Sequence, residues 1–419
     1  MKIGVWVFMG LSGCAFASTP ALQLKPMTET KILISPNEIK KVKYIVINKS
    51  NKSLTLGMKS IPGVVQDTSD GNCNSPFILK QNESCVLNLE IIGKLVKTNY
   101  SGGPDVGSYS SPGLYNYRPS SKDSLSITKI SSVFYGANID GNSISICPVE
   151  QNGTFLSCED QNNLSLQQPG DVILNQAGDI AYIMNMSNSS ISVCPVKSNR
   201  TLDFCSTTGG NNQAFQYGGL AINNGYLYVT SCNDEAIYIY SLNANGSINN
   251  ADSPTIFHHS TFSCPSGRVA FNANGTTIYI GYYSNGVLVC RVGSGGEPEQ
   301  CTANDGNGTF NQPLGVAVDS TGSYLYVANT GANNISNVSI CPINTDGSLG
   351  NCVLNTNNYT FYFDGYSANM FLSSENMGYF PNYGNDTISI CPLEVNGEIG
   401  GCSVASDQTF NRIISAWIS

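Results

Sequence analysis

The chain has 419 residues and a net charge of −9, and only 12% of its residues are charged, so it can bury two sizeable cores but is poor in cations. It holds no run of Lys or Arg, which excludes nucleic acid and disfavours an anionic membrane surface, because both need clustered positive charge. Past the N-terminus no segment approaches the ~20 continuous apolar residues of a spanning helix.

Residues 1–17 read as a secretory signal peptide. Lys2 precedes an apolar run, and Ala15-Phe16-Ala17 forms a small-residue cleavage site. The alternative is a lipobox, Leu11-Ser12-Gly13-Cys14, in which Cys14 carries a lipid anchor. Either reading removes Cys14 from the fifteen cysteines and leaves an even fourteen. Export with an even count argues for disulfides rather than metal ligands or reactive thiols. The expected location is therefore exported: periplasmic, cell-surface or secreted.

Residues 18–95 carry short alternating strands, such as Val42 to Asn48, Leu54 to Met58 and Cys85 to Ile92, with turn residues between them. This pattern predicts a small β-sandwich with a Cys73–Cys85 disulfide. Residues 96–124 are rich in Ser, Gly, Pro and Tyr without periodicity and read as a linker.

From residue 125 a unit repeats at about 46 to 53 residues. Its clearest copy is residues 313–329, PLGVAVDSTGSYLYVAN, followed by VSICPI at 338–343 and DGSLGNC at 346–352. Strand, turn, strand, loop, strand, turn, strand is the signature of a propeller blade. Five units contain two cysteines eleven residues apart: Cys147/Cys158, Cys194/Cys205, Cys290/Cys301, Cys341/Cys352 and Cys391/Cys402. Folding each about a two-residue turn sets the cysteines opposite one another, at a hydrogen-bonded pair with Cα atoms about 5.5 Å apart. The third unit lacks this pair, and Cys232 and Cys264 are expected to bond to each other instead. The first unit lacks an inner strand of its own, and the chain's last residues, from Ser415, match the inner strand of the other units. The fold class is therefore all-β: a six-bladed β-propeller closed by the C-terminal strand, preceded by a small β-sandwich.

The second strand of four units ends in Tyr-x-x-Asn, and with the PLGVAVD segment this resembles the YVTN-type, lactonase-like β-propeller repeats of bacteria. The resemblance covers residues 131–419 through repeat motifs. It implies the fold and, as one function among many on such propellers, lactone hydrolysis. The N-terminal segment is similar to Ig-like modules fused to exported bacterial proteins.

Two rings of residues are candidates for a site at the channel mouth. Asn138, Asn185, Ser231, Tyr282, Asn329 and Asn382 end the second strands, where asparagine either binds ligand or bridges strand ends to loops. Ser415, Asp171, Gly219, Arg268, Gly315 and Asn369 begin the innermost strands. Asp171 and Arg268 are the charged members, and they either pair structurally or orient a polar ligand. His258 and His259, the chain's two histidines, lie in a loop, where His259 is a candidate for a general base. There is no Gly-x-Ser-x-Gly elbow, no His-rich metal cluster and no paired acidic ring. The expected function is a disulfide-stapled binding module for a protein, glycan or small ligand, with no cofactor. The alternative is a lactonase-like hydrolase that uses Asp171, Arg268 or His259 and a divalent metal such as Ca²⁺ held by carboxylates and asparagines. Of the strand-start residues only Asp171 and Asn369 suit that metal.

Overall fold

The computed structural model describes residues 21–69, 71–109, 116–150, 152–209, 215–249, 253–284, 286–331, 336–355, 361–363 and 369–418. The expected signal segment and Cys14 lie outside them. The chain divides into two compact units, Met1–Lys129 and Ile130–Ser419. No helix among the described residues is long and apolar enough to cross a membrane.

In the first unit, Leu22–Pro26, Ile39–Asn48, Ser84–Ile92 and Val64–Asp67 form one four-stranded sheet. Leu54–Met58 joins Phe77–Leu79, Val106–Ser108 and Asn116–Tyr117 in another. Along Ile39–Asn48 every second residue is buried (Val42, Tyr44, Val46, Asn48), as expected of a sheet with one face on a core. Both sheets supply that core, through Tyr44 and Leu87 from one and Leu56, Phe77 and Val106 from the other. Residues 96–124 are not a linker. They contribute Tyr100–Ser101, Val106–Ser108 and Asn116–Tyr117, and Arg118 clamps Asp105 through two hydrogen bonds of 2.6 and 2.8 Å. Strands of two or three residues are too short to display a period of two, so composition alone masked them. The boundary also falls later than 124, because Ser126–Lys129 pairs in parallel with Lys31–Ile34.

The described residues of the second unit form six four-stranded antiparallel sheets. In the first, the C-terminal strand Ile413–Ile418 pairs with Ser132–Asn138 and supplies the missing inner strand, so the ends of the unit share one sheet. Second strands such as Ile180–Asn185 and Tyr324–Asn329 are buried along almost their whole length. They read as continuous apolar runs because a neighbouring sheet covers each face: Ile173 and Tyr182 pack with Leu220 and Leu227, and Phe134 and Ile413 with Tyr379 and Ile388.

Seven disulfides form, with the pairings read from spacing. Two are Cys73–Cys85 and Cys232–Cys264. The five hairpin pairs are Cys147–Cys158, Cys194–Cys205, Cys290–Cys301, Cys341–Cys352 and Cys391–Cys402. This density fits folding in an oxidising compartment. Each eleven-residue closure contributes roughly 2–3 kcal/mol by chain-entropy reasoning.

The hairpin geometry, however, differs from the expected two-residue turn. Gly153 donates its N–H to the Glu150 carbonyl and Glu150 donates to Thr154, leaving Gly153 left-handed at φ 82°. This is a three-residue loop closed by a glycine bulge. The same pair of bonds recurs at Arg200, Gly246, Gly296, Gly347 and Gly397. The expected placement of Cys158, Cys205, Cys301, Cys352 and Cys402 at hydrogen-bonded positions is therefore corrected. The extra turn residue shifts the register, and the five pairs sit 4.1–4.2 Å apart at Cα. That is nearer the ~4.5 Å of a non-hydrogen-bonded pair than the ~5.5 Å of a bonded one. Nor do these partners all lie on the outer strands. Cys158, Cys205, Cys352 and Cys402 each immediately precede one, at Glu159–Gln161, Ser206–Gly209, Val353–Leu354 and Ser403–Ser406. Cys301 alone lies within its strand, Pro298–Asn304, opposite an irregularity between Val289 and Arg291.

These turns explain the tyrosine column. Tyr135 donates its hydroxyl to the Arg200 carbonyl in the next sheet's turn at 2.9 Å, and Tyr182 donates to Gly246 at 2.6 Å. Tyr228, Tyr279 and Tyr326 do the same to Gly296, Gly347 and Gly397, each at 2.8 Å. The Tyr379 hydroxyl lies beside Gly153 of the first sheet, 3.6 Å from where a Cβ would stand. Five sheets are thus latched to the next by a buried phenol bonded to the left-handed residue of the neighbour's turn. Burial pushes Tyr182 and Tyr279 up to about 12, and Tyr228, Tyr326 and Tyr379 in the same direction.

Tyr326→Phe should cost about 1–3 kcal/mol, because the Gly397 carbonyl keeps its burial and loses its donor, and urea unfolding would measure the loss. Since the folded phenols titrate above the ordinary value near 10, their stabilisation is complete below that pH and lost as pH rises through the folded values. The latch contribution to stability should be flat up to about pH 10 and fall beyond it, with the latch tyrosines' share of tyrosinate absorbance appearing only as the chain unfolds. Reversible ionisation of the latch tyrosines near pH 10 in folded protein would contradict this account.

Candidate functional site

The asparagine column sits at the opposite end of the second strands from the latch. Asn185 donates its amide to Ser190 and Ser192 of the third strand at 3.2 and 2.8 Å. Its carbonyl accepts the Gln167 N–H from the chain entering that sheet at 3.0 Å. Asn138, Asn329 and Asn382 repeat the arrangement, donating to pairs on the third strand and accepting from Asn411, Asn311 and Tyr362. All four side chains are at most 2% exposed. Their amides staple strand ends to incoming loops and offer little to a ligand. In the third unit Ser231 accepts the Asp234 N–H at 3.2 Å. In the fourth, Tyr282 is buried against Phe262, and burial raises its pKa.

The innermost ring converges at the centre, and the convergence closes it. Arg268 makes a bidentate pair with Asp171, its Nε 3.0 Å from Oδ2 and its Nη2 2.5 Å from Oδ1. The remaining guanidinium hydrogens reach the carbonyls of Ala416 at 2.6 Å and Val172 at 2.8 Å. Asp171 in turn accepts the Leu220 N–H at 2.7 Å, the Val172 N–H at 2.8 Å and the Ser415 hydroxyl at 2.5 Å. Asp171 is 0% and Arg268 5% exposed. Asn369 spans the same centre, donating at 3.3 Å to the carbonyls of both Gly170 and Gly218. Glycine is required here: a Cβ on Gly219 would lie 2.4 Å from the Arg268 backbone nitrogen, so neighbouring inner strands could not approach. Thr230, which no motif marked, joins the Gly219 N–H to the Gly267 carbonyl through its hydroxyl.

Asp171 and Arg268 therefore form a desolvated pair inside the ring, with every strong valence used. The structure does not bring His259 to them. It is half-buried on the loop tied by Cys232–Cys264, with Nδ1 2.8 Å from Thr261 Oγ1 and its ring stacked on Phe257. The residues that would hold a divalent ion in a hydrolase, Asp171 and Asn369, do not fit one, since a guanidinium already covers both carboxylate oxygens. Among the described residues no cluster of three His, Cys, Asp or Glu side chains could hold a metal. The hairpin cysteines offer no thiol either. Cys158, Cys205, Cys301 and Cys402 are half-buried and Cys352 is buried, each with its sulfur committed to a disulfide.

At the other end of the inner strands lies a groove of about 1210 Å³. It is lined by the turns at Asn175 to Gly178, Asn223 to Gly225 and Asn243 to Gly246, together with Tyr182, Arg200 and Trp417. Trp417 is backed by Phe371 at 4.7 Å and by the Arg268 guanidinium at 5.4 Å. Its indole N–H is buried and meets no acceptor among the described residues. Sequence reasoning missed this groove, because its walls come from three sheets that no local motif connects.

No family model matches the chain, and no curated protein matches it. Among solved structures, one chain of the nidogen–laminin complex is similar at 11% identity and a TM-score of 0.51, over 68% of this chain and 98% of that one. The Pseudomonas aeruginosa periplasmic gluconolactonase reaches 16% identity and a TM-score of 0.48, over 66% of this chain and 80% of its own. A functionally unknown protein from Desulfotomaculum acetoxidans reaches 15% and 0.48, over 75% and 94%. The first of these similarities supports a β-propeller fold; at such identities it shows fold alone.

Arg268→Met should destabilise the chain by about 3–5 kcal/mol, since it leaves Asp171 charged and buried. Asp171→Leu with Arg268→Met should recover much of that loss in denaturant unfolding, as expected when both charges are removed together.

Proposed function

We propose that this chain is an exported, six-bladed, disulfide-stapled propeller, carried behind an Ig-like module, that works as a binding module for an extracytoplasmic partner. The compartment is periplasmic, cell-surface or secreted. One observation carries the reading: the polar groups that a channel-mouth hydrolase would use are already consumed by the fold. Asp171 and Arg268 neutralise each other, Asn369 bridges two carbonyls, and the asparagine column is bonded on both sides of its amides. A carboxylate that accepts three further donors beside a guanidinium has no lone pair facing a substrate. It cannot act as base or nucleophile without breaking the ring. Open polar surface lies instead around the groove at the turn end.

The second reading, a lactonase-like hydrolase, is favoured by the repeat motif, and it would require residues other than the Asp171–Arg268 centre. Purified oxidised chain, offered sugar and aliphatic lactones with Ca²⁺ or with chelator, should show no turnover above the buffer rate. Chelator-sensitive hydrolysis would reverse the order of the two readings.

A further inference from the structure

The sequence contains seven Asn-Gly dipeptides. In this pairing the asparagine side chain is most open to attack by the next backbone nitrogen, because glycine has no side chain to shield it. Asn285, of one such pair, lies outside the described residues. In five of the others the fold engages the nitrogen: Gly153, Gly246, Gly275, Gly308 and Gly397 each donate the N–H to the carbonyl three residues earlier, at 2.8–3.1 Å. The asparagine side chains there are occupied too. Asn152, Asn245, Asn274 and Asn396 accept the backbone N–H two residues on at 2.9–3.2 Å, and Asn307 donates to Asn351 at 2.9 Å. Asn224–Gly225 differs on each count. It is the whole connection between Leu220–Asn223 and Tyr226–Ser231, with Asn223 paired to Tyr226, and its two residues are left-handed at φ 46° and 80°. This is the type I′ hairpin turn, whose ladder bonds run between the flanking residues and leave the central N–H groups out. Neither the Gly225 N–H nor the Asn224 amide has a partner among the described residues. Both residues are exposed, and nothing stands within 4 Å of where a Gly225 Cβ would lie.

We propose that Asn224 is a site of spontaneous deamidation, left open by a fold that protects its five counterparts. The Gly225 nitrogen attacks Asn224 Cγ. The N–Cγ bond forms, the Cγ–Nδ2 bond breaks, and Nδ2 leaves as ammonia with the glycine's proton. Water then opens the resulting five-membered imide at either carbonyl, giving aspartate or isoaspartate at position 224. Asn224 lines the groove of about 1210 Å³, so either product adds a carboxylate to its wall. Isoaspartate also adds a main-chain carbon to a turn of only two residues. The groove thus gains negative charge as the chain ages, with no enzyme involved.

Oxidised, folded chain would be held in warm, mildly alkaline buffer and sampled over weeks. Peptide mass spectrometry that separates aspartate from isoaspartate would follow each Asn-Gly. Asn224 should convert about fivefold faster, or more, than Asn152, Asn245, Asn274, Asn307 and Asn396, the factor that about one net hydrogen bond represents. In reduced chain unfolded in guanidinium the six should convert at comparable rates, because the dipeptide is the same and the protecting bonds are gone. Asn224→Gln should remove an early acidic species resolved by ion exchange and leave the other five rates unchanged. The proposal is overturned if Asn224 converts no faster than the five in folded chain, if its lead persists unchanged in unfolded chain, or if Asn224→Gln loses no early acidic species.

Discussion

The second unit depends on a single hydrogen bond used over and over: a buried tyrosine hydroxyl donating to the carbonyl of a left-handed turn residue in the next sheet. One bond of this kind is modest in net energy, but its geometry is demanding. It needs a turn whose residue tolerates positive φ, which is why glycine holds five of the six positions and Arg200 the sixth. It also needs the tyrosine at a constant height on the second strand, which keeps the repeat length within a narrow range. Disulfides and latches then cooperate. In five of the six sheets cysteines hold the hairpin in register, and the register delivers the turn carbonyl to the neighbouring phenol.

The centre of the ring obeys a different constraint. Asp171 is fully buried and Arg268 nearly so, and charges removed from water in this way have to be neutralised within the protein. Asp171 and Arg268 satisfy each other across 97 residues of sequence, and Ser415 from the C-terminal strand binds the same carboxylate. Ring closure and the buried pair are therefore coupled, since the strand that completes the first sheet also supplies a ligand to the ion pair. The same saturation removes the asparagine end from consideration as a chemical centre and directs attention to the turn end. There Trp417 lines a groove, its ring backed by the very guanidinium that pairs with Asp171.

Much of this was legible in the residues. The eleven-residue cysteine spacing named the hairpin disulfides, and the leftover pair in the third unit followed by elimination. The missing strand of the first unit pointed to the C-terminus. Other features escaped. The strands at 100–101, 106–108 and 116–117 are shorter than any detectable period. The three-residue turn looked like a two-residue one, because asparagine and glycine favour both. That single residue is why Cys158, Cys205, Cys301, Cys352 and Cys402 were paired correctly but placed in the wrong register.

What the sequence by itself determined is local or repeated: the strand pattern, the disulfide pairing, and the tyrosine and asparagine columns. Backbone propensity and a fixed spacing act over a few residues and recur, so they can be read without coordinates. Only the tertiary structure decided that Asp171 and Arg268 neutralise each other, that the asparagines are spent as staples, and that Trp417 lines a groove built from three sheets. Those outcomes depend on which side chains a closed ring brings within about 3 Å of one another, the reach of a hydrogen bond, and no separation along the chain encodes that distance.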